Sequence, residues 1–288
     1  MTPVIALNNT YFVLVCISQW YNMSMKRILL TADDGYNSIG VRLLIHFLKD
    51  TYDLSIAGTK TQQSGMGGKK TLTETITWGK DTIDGVPAFW VSGTPIDAVE
   101  GAREYYNAPF DLVISGMNLG INTGGCLISS GTFSAAFYAV NMGLANQSIA
   151  ISWDVSEKLD LFFRDHDHLE SLAPYIDHPG ETMAKLVRHA ITHNLWDTTI
   201  CNINVAAEKN NVTCFTKPLE SMYNYWGTPT LAEDGTFSYK RQNYPKDQKD
   251  KETDAYAIGR GENSISLCQS TMLDKSLYAH VAKKTFSL

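Results

Sequence analysis

The chain alternates short apolar runs, each the length of a β-strand, with segments in which apolar residues recur at helical spacing. The first run, RILLT at 27–31, is followed by a turn and by an apolar helical pattern at 39–48. Later runs of the same kind are DLSIAG, AFWVSG, FDLVISG, SIAISW and TTICNINVA. Such alternation is typical of a mostly parallel sheet with helices on both faces, so the predicted fold class is α/β.

The chain changes character after about residue 206. Residues 207–288 are polar, contain scattered aromatic residues and show little helical period, and EDGTFSYKR within them predicts a hairpin turn. We therefore predict an α/β catalytic core over 25–206 and a C-terminal arm with a closing strand and helix over 207–288. Residues 1–24 precede MKRILLT, which begins with its own methionine. We predict that they are a disordered extension or a misassigned start.

Net charge and composition restrict the classes of binding partner that we expect for this chain. The net charge is −6, which argues against a nucleic-acid partner held by phosphate contacts. No apolar run reaches the roughly 18 residues that a membrane span needs, so we expect no membrane partner. The five cysteines have neither zinc-site nor redox-motif spacing, and this pattern favours a reduced, cytoplasmic setting. A small-molecule substrate is therefore expected.

Two adjacent carboxylates follow the first predicted strand. Asp33 and Asp34 come directly after RILLTA, and in open α/β sheets ligands bind beyond the carboxyl ends of the strands. Adjacent carboxylates repel each other unless a cation compensates, and hard divalent cations prefer oxygen ligands. The pair therefore indicates a metal site. The alternative is a solvated Asp-Gly turn, which the dipeptide alone does not exclude.

Further oxygen ligands follow two other predicted strands. Ser64 lies in a Gly-rich loop after DLSIAG, and Asn118 and Asn122 lie in the Gly/Asn-rich loop after FDLVISG. Hydroxyl and amide oxygens are hard ligands of the same class as carboxylates. Each of these residues alone is weak evidence for a metal site, and the segment SGMN is also compatible with a simple turn. Their common placement at strand ends strengthens the prediction of one site there.

A third feature is the segment SSGTFSAA, which opens a helix. Ser130, Gly131 and Thr132 would place hydroxyls and free backbone N–H groups at a helix N-terminus, which suits a phosphate group. The alternative is an ordinary helix cap. Thr94 and Asp97 fit a capping box better than a catalytic pair. Neither a dinucleotide fingerprint after the first strand nor a nucleophile elbow is present.

These blocks together resemble the SurE family of survival proteins. The matching segments are RILLTADDGYNSIG, QQSG, VSGTPIDAV, DLVISGMNLGIN, SSGTFSAA, SIAISW and TDAYAIGRGENSIS, which run from residue 25 to about 266. The family consists of divalent-metal-dependent nucleoside-monophosphate phosphatases. The resemblance implies a metal held by Asp33, Asp34, Ser64 and Asn118. It also implies a Rossmann-like three-layer α/β/α core and homodimers or homotetramers built by exchange of C-terminal arms.

The expected activity is hydrolysis of nucleoside 5'- and 3'-monophosphates with one divalent cation per subunit, Mg²⁺ or Mn²⁺. Asp33 and Asp34 are the candidate catalytic residues, and Asn122, Ser130, Gly131 and Thr132 are candidate phosphate-binding residues. Whether one aspartate acts as base or nucleophile stays open. The alternatives are a broader phosphatase for small phosphoesters or short polyphosphate, and a weakened nucleotide-binding protein. The last arises because Ala32 stands where the family usually has Asn.

Overall fold

The structure is a computed structural model that describes residues 25–107, 109–155, 171–219, 229–238 and 250–271. Its strands are β1 Arg27–Thr31, β2 Asp53–Thr59, β3 Trp78–Ile83, β4 Val86–Val91, β5 Leu112–Leu119, β6 Ser148–Trp153, β7 Ile200–Val205, β8 Thr213–Thr216, β9 Thr230–Leu231, β10 Phe237–Ser238 and β11 Asn263–Cys268. Its main helices are α1 Ile39–Leu48, α2 Pro95–Tyr106, α3 Gly131–Asn141, α4 Thr182–Thr192 and α5 Asp254–Gly259. A short 3-10 segment covers Gly124–Ser129, and Asn194–Asp197 form a turn with positive φ angles. A helical turn at Ala173–Tyr175 leads into α4 through Ile176–Glu181, where His178 has extended backbone angles.

The central sheet has nine strands in the order β3-β4-β2-β1-β5-β6-β7-β11-β8. The six strands from β4 to β7 in that order are parallel to their neighbours. On one side of this set, the edge strand β3 is antiparallel to β4. On the other side, β11 is antiparallel to β7, and the edge strand β8 is parallel to β11. Strands β1 and β5 are central neighbours, so the loops that follow them meet at the carboxyl edge of the sheet.

Helices cover both faces of the sheet and form the three layers that the resemblance implied. Apolar residues of α1 and α4 pack on one face in a cluster with Ile28 and Leu30. Apolar residues of α2 and α3 pack on the other face in a cluster with Leu29 and Val113. Alternate residues of β1 thus enter opposite cores, which explains its continuous burial. The predicted α/β fold with a mostly parallel sheet is confirmed.

The two faces differ in chemistry on β5, β6, β7 and β11. The face under α1 and α4 carries apolar side chains, namely Ile114, Ile149, Ile151, Cys201, Ile203 and Ile265. The opposite face carries buried polar side chains, namely Ser115, Ser148, Ser152, Asn202, Asn204, Ser264 and Ser266. We call this second set the polar layer. Register across the strands aligns Ser152 with Asn204 and Asn204 with Ser264, so the layer is continuous.

Some features differ from the simple alternation that the sequence predicts. Strand β3 was not predicted, and it forms an antiparallel hairpin with β4 in place of a helix between β2 and β4. The hairpin predicted at EDGTFSYKR is present as β9 and β10. Strands β8 and β11 extend the main sheet. Residues 1–24 lie outside the described residues. Within the described ranges, no helix is long and apolar enough to cross a bilayer.

Candidate active site

Asp33 is held between the end of β1 and the start of α3. Its side chain is buried, and its Oδ1 accepts a hydrogen bond of 2.5 Å from the Thr132 hydroxyl. A Cβ at Gly131 would lie 2.7 Å from Asp33 Oδ2, closer than a methyl group can approach. Only glycine therefore lets the helix N-terminus approach the carboxylate this closely. The structure thus brings three of the predicted site residues together.

Asp34 faces the loops after β5 and β2. Its Oδ2 accepts a 2.7 Å hydrogen bond from the Leu119 backbone N–H, beside Asn118. Its Oδ1 lies 3.5 Å from the Ser64 hydroxyl, at the outer limit of a hydrogen bond. Two carboxylates, a hydroxyl and the amide-bearing end of β5 therefore converge. This convergence is what the placement of the residues at strand ends predicted.

Asn118 and Ser64 present neutral oxygen atoms to this group. Asn118 Nδ2 donates to the Gly120 carbonyl at 2.5 Å, so the amide oxygen is the atom left for a ligand. Ser64 is exposed and accepts a 3.2 Å hydrogen bond from Gln62. Its loop is anchored by the Gln63 N–H, which donates to the Asp33 carbonyl at 2.7 Å. The loop after β2 is therefore fixed to the residue that carries the first carboxylate.

The donor set suits a hard divalent cation. It offers two carboxylates, a hydroxyl and an amide oxygen, and oxygen atoms are the ligands that Mg²⁺ and Mn²⁺ prefer. In the part of the chain that the structure describes, no three His, Cys, Asp or Glu side chains cluster as metal ligands. A metal at this edge would therefore depend on the neutral oxygens as well as on the aspartates.

The start of α3 shows one of the two roles that the sequence left open, the helix cap, while the phosphate contact stays a prediction. Ser130 is the N-cap, and its hydroxyl accepts from the Phe133 N–H at 2.9 Å. Thr132 is bonded to Asp33. Both hydroxyls are thus engaged within the protein. The N–H groups at Gly131 and Thr132 have no acceptor inside the helix, as in the first turn of any helix, and they are the donors available to a phosphate.

Asn122 is buried, whereas a side chain that contacts substrate is usually accessible to solvent. Its Nδ2 donates to the Ser152 hydroxyl at 2.7 Å, and its N–H donates to Asn204 Oδ1 at 2.8 Å. Its carbonyl accepts from the side chains of Asn202 and Asn204 at 2.9 and 3.0 Å. These contacts fix the loop after β5 on the polar layer. Its predicted phosphate contact stays a prediction.

Asp254 is a buried carboxylate that the sequence did not single out. It accepts hydrogen bonds from the N–H groups of Gly124 at 2.8 Å, Leu219 at 3.1 Å and Ala255 at 2.7 Å. Burial raises the pKa of Asp254 above that of a free aspartate, while these N–H groups act in the opposite direction. The sequence signals were its place in the family-like segment TDAYAIGRGENSIS and a helix that begins T-D, with Thr253 as its N-cap.

Thr94 and Asp97 form the predicted capping box. The Thr94 hydroxyl accepts from the Asp97 N–H at 3.3 Å, and Asp97 Oδ2 accepts from the Thr94 N–H at 2.8 Å. Asp97 also binds the Thr71 hydroxyl at 2.7 Å, which anchors the far end of the loop after β2. The prediction that these residues cap α2 is confirmed.

Comparisons with known proteins agree with this architecture. A model of the family "Survival protein SurE" matches residues 28–225. A protein of Methanococcus maripaludis called 5'-nucleotidase SurE is 30% identical over 259 residues, 87% of this chain and 93% of its own length. One of the same name from Methanopyrus kandleri is 39% identical over 132 residues, 46% of this chain and half of its own length.

The crystal structure of the SurE protein from Aquifex aeolicus shares the fold. It superposes with a TM-score of 0.68 at 22% identity, covering 88% of this chain and 98% of that one. Since the family model covers more than half of the chain and the Methanococcus maripaludis protein matches nearly end to end, the chain belongs to the SurE family.

Proposed function

We propose that this chain is a 5'-nucleotidase that hydrolyses nucleoside 5'-monophosphates, and also 3'-monophosphates, to nucleoside and phosphate. One observation carries the proposal. Asp33 and Asp34 lie at the carboxyl edge of the sheet, one against the N-terminus of α3 and the other beside Ser64 and Asn118. Relatives called 5'-nucleotidase SurE support the choice of reaction.

We propose that Asp33, Asp34, Ser64 and Asn118 would hold one divalent cation, Mg²⁺ or Mn²⁺. When bound, such a cation supplies Lewis-acid polarisation of a phosphoryl oxygen and lowers the pKa of a water ligand. The carboxylates are held in place beforehand, because Thr132 donates to Asp33 and the Leu119 N–H donates to Asp34. Little reorganisation of either aspartate is then needed when substrate arrives.

The phosphate of the substrate would lie at the start of α3. There the N–H groups of Gly131 and Thr132 donate to phosphoryl oxygens, and the positive end of the helix dipole favours the charge that builds up during hydrolysis. The Ser130 and Thr132 hydroxyls hold the helix start and Asp33 in position. Gly131 keeps the distance from the carboxylate short enough for both to act on one group.

The decisive experiment measures phosphate release from AMP by the full chain. We expect turnover with Mn²⁺ or Mg²⁺, loss of turnover in EDTA, and recovery when the cation is restored. Isothermal titration with Mn²⁺ should give one site per subunit, and Asp34→Asn should weaken it. Comparing 5'-AMP with 3'-AMP tests the second activity. Full turnover in EDTA would refute the metal site, and lack of hydrolysis with every cation would refute the nucleotidase assignment.

We also propose a cytoplasmic location and a homodimer or homotetramer built through the C-terminal arm. The described cysteines Cys201, Cys214 and Cys268 are free thiols, in keeping with a reducing compartment. In the arm, the β9–β10 hairpin exposes the large apolar side chains of Leu231 and Phe237. Exposed apolar groups of this kind favour self-association. Deleting residues 229–238 should lower the oligomer number measured by light scattering.

A further inference from the structure

A cavity of about 480 Å³ lies on the outer side of α3, next to the candidate active site. Its size is within the range of small-molecule sites. The side chains that line it are Leu127, Ile128, Phe133, Ser134, Phe137 and Tyr138, together with three glycines. Each of these described lining residues has a neutral side chain, and most are apolar or aromatic. The cavity thus differs from the carboxylate-bearing edge beside it.

Every wall of the cavity belongs to a segment that also carries a candidate site residue. Gly68 lies in the loop of Ser64, and the neighbouring Gly67 N–H fastens that loop to the Ser129 carbonyl at 2.9 Å. Gly124 follows two residues after Asn122. Phe133 directly follows Thr132, whose hydroxyl donates to Asp33. The cavity and the carboxylates are therefore two parts of one set of loops.

The spacing along α3 fits a ligand with two unlike ends. Thr132 and Phe137 are five residues apart, about 7.5 Å along a helix axis. A phosphate at the helix N-terminus would thus lie about 1.4 helical turns along the axis from Phe137, and within one turn of Phe133. A ligand that fills both positions must join a phosphate to a flat, uncharged, apolar group through a short linker. A nucleoside monophosphate has this form.

Exposure of the lining supports a role in binding. Ile128 is 77% exposed, so its side chain is accessible to a ligand that enters the cavity. Phe133 and Phe137 are only partly buried, although both pack against the cluster of Ala136, Ala150 and Ile200. Ser134 and Tyr138 bring hydroxyl groups to the lining. Aromatic faces with a few hydroxyls are what a nucleobase requires for stacking and hydrogen bonding.

We propose that this cavity binds the nucleobase of the substrate, so that Phe137, Phe133 and Ile128 give the enzyme its preference for nucleotides over other phosphomonoesters. This inference rests on the proposed function. The base lies against the aromatic side chains, and the phosphate reaches the N-terminus of α3 and the carboxylates. Because stacking does not depend on the identity of the base, selection among bases would fall to the hydroxyls of Ser134 and Tyr138.

The test compares kcat/KM for AMP with kcat/KM for ribose 5-phosphate, which has the same phosphoester but no base. Wild type should prefer AMP. Phe137→Ala should reduce this preference at least about fivefold, because the aromatic ring that stacks on the base is lost. Phe137→Leu and Ile128→Ala should reduce it less. Leu72→Ala, an 80% exposed apolar residue that does not line the cavity, is the matched control.

The outcomes separate this inference from the proposed function. If wild type releases phosphate from neither compound, the proposed function fails. If wild type is active but Phe137→Leu and Ile128→Ala keep the full preference for AMP, the cavity does not bind the base. If Ile128→Ala instead changes the oligomer number by light scattering and leaves the preference intact, the cavity is a contact between subunits and the inference is overturned. Ile128 is exposed, so this variant should fold even if Phe137→Ala does not.

Discussion

On strands β5, β6, β7 and β11, one face of the sheet is apolar while the other is the polar layer of Ser and Asn. Both faces are buried, yet only the polar layer needs a hydrogen-bond partner for each group that it buries. Its partners include the loop after β5, which Asn202, Asn204 and Ser152 hold through Asn122. The apolar face therefore mainly stabilises the fold, and the polar layer mainly positions the loops of the candidate site.

The largest effect is expected from Asp34→Asn, which should reduce turnover without reducing thermal stability. Asp34→Asn should lower kcat on AMP by about 10²–10⁴-fold, the range for loss of a group that acts in the chemical step. It should leave the melting temperature in EDTA unchanged or raised, because one of two neighbouring negative charges is gone. Asp53→Asn, an exposed carboxylate at the amino end of β2, is the control. An active Asp34→Asn enzyme would remove Asp34 from the proposed mechanism.

The second prediction tests the apolar face. Ile203→Ala removes a fully buried side chain from β7 on the side of α1 and α4, and should reduce the free energy of unfolding by about 2–5 kcal/mol. The folded fraction should keep its kcat and KM for AMP. Urea unfolding and kinetics at a temperature well below the transition check both statements. A large change in KM with little loss of stability would reverse the roles assigned to the two faces.

The third prediction tests the polar layer on the neighbouring residue of the same strand. Asn204→Ala removes the acceptor for the Asn122 N–H and one donor to its carbonyl, at a cost of about 1–3 kcal/mol in unfolding free energy. Because the loop after β5 is then released, kcat/KM for AMP should fall about tenfold. Asn202→Ala removes one donor to the same carbonyl and should do less to both quantities. Equal effects from the two variants would contradict this ranking.

The smallest effect is expected where the polar layer lies far from the candidate site. Ser266 on β11 bonds the Thr216 hydroxyl at 2.9 Å, and Ser264 offers that hydroxyl an alternative at 3.2 Å. Ser266→Ala should therefore cost under about 1 kcal/mol in unfolding free energy and leave kcat/KM unaltered. Were it to slow turnover as Asn204→Ala does, the whole layer, and not the part around Asn122, would determine the geometry of the loops.

Sequence patterns predicted most of the parts of this fold whose signal is local. The alternation of β1 with α1 and the capping box of α2 are each set by residues a few positions apart. The two aspartates were found because the turn after a buried strand is a known place for ligands. Strand β3 was missed because WGKDTI is largely exposed at the sheet edge and reads as a polar loop.

The parts of the site that the sequence did not predict depend on contacts between residues far apart in the chain. Asn122 meets Asn204 across 82 positions, and Gly124 meets Asp254 across 130 positions. Hydrophobic periodicity and short motifs depend only on residues close together in the sequence, so they could not predict either contact. The one available hint was the pair of asparagines at alternate positions in the buried strand ICNINV, where apolar residues would normally face both cores.

The position of Asp254 late in the chain has a consequence for how an active molecule is made. All the candidate ligands and phosphate-binding residues, from Asp33 to Thr132, leave the ribosome before the carboxylate that holds the Gly124 N–H. Gly124 and Asp254 are 130 positions apart. At roughly 5–20 residues per second, Asp254 is therefore synthesised about 7 to 26 seconds after Gly124. A nascent chain therefore contains all the candidate site residues before Asp254 can accept from the Gly124 N–H, and this contact forms only when synthesis has passed α5.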